Sequence, residues 1–284
     1  MKEFLMAIDA QRRAANLVKK EVQVEDHKIV YLEGGNGETV VLLHGFGGNK
    51  DHWTTFANYL KGYHLVIPDV PGFGESSQVP TGRYDLESQL GRIERFVEVL
   101  KLDKFHMAGN SMGGAFTAAY GAKHPKKVLD LALLDTAGAP SQNKSEFVMQ
   151  LENGNNLLMV HNEEDYEKLM TAVFVKRPTA PESFRKVMIA YWIAHLEFDK
   201  KIWCDLQWTS QFSLAPFLPL IQAPVLIIWG DQDKLVDVGG VAFLEKSLKN
   251  YRTAIMRDMG HCPMMERPEE TAKVYMSFLV GNQK

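Results

Sequence analysis

Ser111 stands in Gly109-Asn110-Ser111-Met112-Gly113, directly after the apolar run Phe105 to Gly109 and at the start of a helical pattern, Met112 to Lys123. A serine hydroxyl becomes a useful nucleophile when a sharp strand-to-helix turn exposes it and a neighbouring base takes its proton. Glycines two places either side of it suit such a turn, because Cβ atoms at Gly109 and Gly113 would strike neighbouring backbone. The candidate base is His261, in Met259-Gly-His-Cys-Pro263; it is the only histidine after His195 and follows the last strand-like run, Arg252 to Met256. The acid that orients the imidazole has candidates at the end of Val225 to Gly230, where Asp231 and Asp233 follow and Asp233 is favoured, and at Asp135, which follows Val128 to Leu134. Two backbone donors complete the set: the N–H of Phe46, in His44-Gly-Phe-Gly-Gly48 after the run Val40 to Leu43, and the N–H of Met112. Both would be aimed at a developing oxyanion. His44 reads as a strand-end histidine that holds this loop, not as a base. The chemistry is acyl transfer through a covalent intermediate, and it calls for no metal and no organic cofactor.

These groups must be carried by a particular set of elements. Thr39 to His44, Leu65 to Pro68, Phe105 to Gly109, Val128 to Asp135 and Pro224 to Gly230 are short continuous apolar runs, the pattern of strands buried on both faces of a parallel sheet. Helical patterns lie between them at Lys50 to Leu60, Asp85 to Leu100, Met112 to Lys123, Gly239 to Leu248 and Pro268 to Leu279. Strand alternating with helix implies an α/β fold with right-handed crossovers. Upstream, Val22, Val24, Ile29 and Tyr31 alternate with polar residues around Asp26 and His27, as in a hairpin. From Gly138 to Pro219 no strand-like run appears; the stretch reads as a helical insertion holding Met149, Leu157, Leu158, Met159, Met170, Phe174, Phe184, Met188, Tyr191, Trp192, Trp203, Trp208, Phe212 and Phe217. The expected division is a core of residues 1–137 and 220–284 and a cap of residues 138–219. Trp192, Phe174, Met188 and Met159 are the expected substrate contacts, since an insertion of that size over one edge of a sheet commonly acts as a lid.

Composition narrows the function classes. The 284 residues carry 32 basic and 35 acidic side chains, a formal net charge of -3, which lacks the basic excess that nucleic-acid binding needs. No apolar run reaches the roughly 18 residues of a membrane span. Cys204 and Cys262 are far apart and have no companions at ligand spacing, so they indicate neither a disulfide framework nor a zinc site. Asp9, Gln11, Arg12 and Arg13 interrupt the apolar residues of the N-terminus, so no signal peptide is read and a cytoplasmic location is expected. Phe4, Leu5, Ile8, Ala15 and Val18 share one helical face, which suits a docked terminal helix or a peripheral lipid contact through that helix or the cap. The expected partner is a small-molecule or lipid ester, met by a monomer or homodimer.

His44-Gly-Phe-Gly47, Asp69-Val-Pro-Gly-Phe-Gly-Glu-Ser76, Gly109-Asn-Ser-Met-Gly-Gly114, Trp229-Gly-Asp-Gln-Asp233 and Gly260-His261 together resemble the α/β-hydrolase superfamily across almost the whole chain. The order Ser111, Asp233, His261 is that superfamily's, not the chymotrypsin or subtilisin order. His44 to Trp53, Leu235 to Gly240 and Met265 to Lys273 are similar to bacterial lipases and esterases related to vertebrate monoacylglycerol lipases. The resemblance implies a mostly parallel sheet flanked by helices, a cap inserted after the sixth strand, and a serine esterase or lipase acting on short to medium acyl esters. Haloalkane dehalogenases and epoxide hydrolases of this fold need an Asp where Ser111 stands. Two other readings stand beside it: a C–C bond hydrolase of the meta-cleavage-product type, whose cap would use an arginine such as Arg177 or Arg185, and a ligand receptor with a hydrolase shell.

Overall fold

The apolar runs pair as strands in the computed structural model, which describes residues 2–207 and 212–281. β1 (Leu17–Val24) and β2 (His27–Gly35) form the expected antiparallel hairpin, followed by β3 (Thr39–Leu43), β4 (His64–Pro68), β5 (Phe105–Asn110), β6 (Val128–Leu134), β7 (Val225–Gly230) and β8 (Tyr251–Met256). They build one sheet in the order β1-β2-β4-β3-β5-β6-β7-β8. Only the pairs involving β2 are antiparallel; from β4 to β8 every neighbour is parallel. β5 and β7 are buried along their whole length, which is why they read as unbroken apolar runs with no alternation.

Helices cover both faces. Leu86–Val99 begins where Asp85 accepts the Ser88 N–H, an N-cap that closes the first turn. Met112–Lys123 is apolar nearly all round and almost wholly buried between sheet and neighbours. The expected helix over Lys50 to Leu60 is shorter: a 3₁₀ turn over Lys50–Trp53 runs into Thr54–Ala57. The terminal helix stops at Ala14, and Val18, expected on its face, belongs to β1. The chain reverses at Asn16, which takes φ 56°.

Among the described residues, three α-helices lie between β6 and β7, Glu146–Glu152, Glu163–Val173 and Glu182–Leu206. The last is buried at Ile189, Trp192, Asp199, Ile202 and Leu206. The terminal helix Lys2–Ala14 docks against it, with Phe4 and Phe184 edge to face at 5.4 Å. Trp208 lies outside the described residues.

Candidate active site

The strand β5 ends in Asn110, and Ser111 takes φ 56° and ψ −117° before the helix Met112–Lys123 begins. That conformation is strained for a residue with a side chain, and its surroundings enforce it. The Ser111 N–H donates to Leu134 O at 2.9 Å, and Ser111 O accepts from Ala115 and Ala137, each at 3.1 Å. A Cβ at Gly109 would lie 2.1 Å from Gly113 O, and one at Gly113 would lie 2.4 Å from Leu43 O, so the flanking glycines are required by contact as well as by turn geometry. Met112 opens the helix, so its N–H is among the first-turn donors with no intrahelical acceptor.

Asp233 and His261 arrive from the loops after β7 and β8. His261 Nδ1 lies 2.7 Å from Asp233 Oδ2, and both side chains are buried. Asp233 Oδ1 accepts from the N–H groups of Leu235 (2.8 Å) and Val236 (3.0 Å), which holds the carboxylate's second oxygen and leaves His261 Nε2 as the free ring position. Two further bonds hold the histidine's own backbone: Asn110 Nδ2 donates to His261 O at 2.9 Å, and His261 N–H donates to Val173 O at 2.8 Å. Asp231 instead accepts from the Met259 N–H. Asp135 contributes a third group to the cluster, but Asp233 is the partner of the imidazole. Two carboxylates and an imidazole could ligate a cation; here the Asp233 oxygens are already engaged by His261 and two amides.

The loop after β3 is held by buried polar groups. His44 Nδ1–H donates to Gly45 O at 2.8 Å, and its Nε2 accepts the Val70 N–H at 2.9 Å. Complete burial pushes its pKa down to about 4, so it is a neutral staple. Lys50, also buried, donates from its backbone and its Nζ to the two oxygens of Asp69 at 2.7 and 2.9 Å. Gly47 has φ +66°, and a Cβ there would lie 2.1 Å from the Trp192 ring, so this loop and the helix Glu182–Leu206 touch directly.

A cavity of about 1350 Å³ lies over these groups, lined by Ser111, His261 and Phe46 on one side. Trp192, Phe174 and Met188 line it from the segment between β6 and β7. Met159 does not: it is packed into the core, and Leu158 faces the cavity instead, because residues 157–158 form a turn and adjacent side chains point apart. The terminal helix adds Phe4, Leu5, Ile8, Gln11 and Arg12, residues to which no sequence signal assigned a place in the site. Arg12 reaches from that helix to both oxygens of Asp51 at 2.7 Å. Glu266 is a second unforeseen residue. Its carboxylate accepts the N–H groups of Gly260 (3.2 Å), Val175 (3.2 Å) and Lys176 (2.7 Å), tying the histidine loop to the segment after Val173.

Comparison with known proteins places the chain in a family. The family model of the alpha/beta hydrolase fold matches residues 38–268. The chain belongs to the α/β-hydrolase family. It is 37% identical to Lipase 1 of Psychrobacter immobilis, over 95% of this chain and 87% of that protein. It is 32% identical to the human monoacylglycerol lipase ABHD6, over 95% of this chain and 84% of that one. Among solved structures, a membrane phospholipase A described as a bacterial virulence factor superposes with a TM-score of 0.97 at 40% identity, covering 100% of this chain and 92% of that one. Among the described residues of this α/β-hydrolase, no helix is long and apolar enough to cross a membrane.

Proposed function

We propose that this protein hydrolyses carboxylic esters of lipids with Ser111 as nucleophile, His261 as general base and acid, and Asp233 as the acid that orients the imidazole. Its lipase and monoacylglycerol lipase relatives make it an esterase or lipase. The observation that carries the residue assignment is the buried pair of His261 Nδ1 and Asp233 Oδ2 at 2.7 Å, with Ser111 and His261 facing the same apolar cavity.

Ser111 Oγ attacks the ester carbonyl while His261 Nε2 takes its proton, and the Phe46 and Met112 N–H groups hold the resulting oxyanion. His261 then protonates the leaving alcohol. Water, activated by the same imidazole, attacks the acyl-enzyme, and the collapse of the second tetrahedral intermediate releases the acid and Ser111. Asp233 keeps Nδ1 protonated and stabilises the imidazolium at each passage.

Residues 138–219 act as the cap, and Trp192, Phe174 and Met188 hold the acyl chain. A cavity of about 1350 Å³ exceeds the roughly 300–1,000 Å³ of a small-ligand site, which supports room for the acyl chain of a lipid ester. The exposed Leu5 and Met6 of the terminal helix beside the cavity mouth support a peripheral lipid contact there. The C–C hydrolase reading needs a free cap arginine for an acidic substrate. Arg177 pairs with Glu167 at 2.7 Å, and Arg185 pairs with Glu163, Glu167 and Glu182, so both charges are met within the protein.

Ser111→Ala is the direct test. It should abolish turnover of p-nitrophenyl esters and labelling by a fluorophosphonate while leaving the circular dichroism unchanged; retained turnover would overturn the assignment.

A further inference from the structure

Asp135 is a buried carboxyl group for which the hydrolytic steps have no use. It follows β6 with φ 46°, its N–H donates to Ile228 O at 2.9 Å, and its Oδ1 accepts the Gly230 N–H at 2.8 Å. Its Oδ2 is fully shielded from solvent and has no donor facing it. A buried polar atom left in this state is rare and costly, and for a charged oxygen more so. One oxygen of Asp135, one of Asp233 and a ring nitrogen of His261 lie within 4.8 Å of one another.

A second negative charge beside a buried carboxylate is disfavoured, and hydrogen-bond donors favour the ionised form of the group that receives them. Asp233 receives the imidazole N–H and two backbone amides, whereas Asp135 receives a single amide. Burial, then the charge of Asp233, pushes Asp135 well above the ordinary carboxylate range, with Glu266 acting the same way and the Gly230 amide opposing. The Cys262 thiol, also facing this pair, is pushed up by burial and by both aspartates, so it adds no charge. The remaining titratable groups around Asp135 are His261 and Glu266.

We propose that Asp135 is a positioning residue that stays protonated and donates its Oδ2–H to the Asp233 carboxylate, fixing the group that in turn holds His261. The inference rests on the reading of Asp233 and His261 as acid and base. One negative charge faces the imidazole, where two would over-stabilise the imidazolium and withhold the base.

The test is Asp135→Asn, which keeps Oδ1 for Gly230 and puts an amide N–H where the Oδ2–H stood. On p-nitrophenyl butyrate its kcat/KM is expected within about threefold of the parent, with the acid limb of the pH profile unmoved to about 0.3 pH units. An ionised Asp135 would give a different result: loss of its charge beside the imidazole would lower that limb by about one unit or more, which overturns the proposal. Asp135→Ala lacks the donor and is expected to lose tenfold or more in kcat (roughly the scale of one misplaced catalytic contact) with KM little changed. Parental kcat in that variant would also overturn it. A readout independent of catalysis is the infrared carbonyl stretch of a protonated carboxyl that Asp135→Asn removes, expected at about pH 9 in the parent and in Ser111→Ala and missing from Asp135→Asn, a pH at which the buried Asp199, pushed up to about 7, is ionised. Its absence from the parent sinks the proposal even if Ser111 proves to be the nucleophile, and its presence stands even if Ser111 does not.

Discussion

The strain at Ser111 is maintained because both of its backbone groups are bonded to neighbouring segments and both flanking glycines are pressed against backbone. A methyl group at Gly113 would press the start of the helix Met112–Lys123 against the backbone at the end of β3. Gly113→Ala is expected to destabilise the protein by about 2 to 3 kcal/mol in urea unfolding and to remove most ester turnover. His44 sets a second expectation at this scale, in pH. Its folded pKa is pushed down to about 4 from an ordinary 6.5. As pH falls below about 6.5 the unfolded chain binds a proton that the folded one refuses, so stability drops across the window from 6.5 to 4 and levels off below it. The drop amounts to roughly 3 kcal/mol, and His44→Gln should lose that part of the slope in unfolding measured at successive pH values.

At the scale of elements, the histidine loop after β8 is held from two sides. Asn110 at the end of β5 bonds His261 O, and Val173 at the end of the helix Glu163–Val173 bonds His261 N. Glu266 strengthens the second attachment by gathering three backbone N–H groups from both segments. A carboxylate accepts at both oxygens, whereas an amide presents donors at one end, so Glu266→Gln should break part of this clamp. The expected result is a fall of about tenfold in kcat with a smaller change in KM, together with faster hydrogen exchange at Val175 and Lys176. Unchanged exchange at those amides would show that the clamp is not what holds the segment.

For the whole molecule, a cavity formed jointly by core loops, the β6–β7 helices and the terminal helix makes substrate access a property of their assembly. Met6 is 59% exposed on the terminal helix and does not line the cavity. Met6→Glu is therefore expected to lower activity on dispersed long-chain monoacylglycerol several-fold while leaving hydrolysis of soluble p-nitrophenyl butyrate at the parental rate; equal loss on both would exclude a lipid contact there. The sheet was legible from sequence because β3 to β7 are buried on both faces, and burial writes itself as short apolar runs. The elbow was legible because its glycines answer a local steric demand, and Asp233 and His261 stood out as candidates because each lies in the loop a few residues after a strand. Glu266 and Arg12 left no such trace, since a charged side chain that reaches across the fold has the same sequence appearance as one in solvent. Met159 and Leu158 are neighbours of similar character, and a turn alone chose which of them meets the cavity. Sequence by itself determined the strands, the strained turn and the loops that carry the candidate serine, acids and histidine, all of which are written in local sterics and burial. Tertiary structure alone decided which of Asp135 and Asp233 meets the imidazole, because both follow a buried strand and only the distance between side chains from different loops tells them apart.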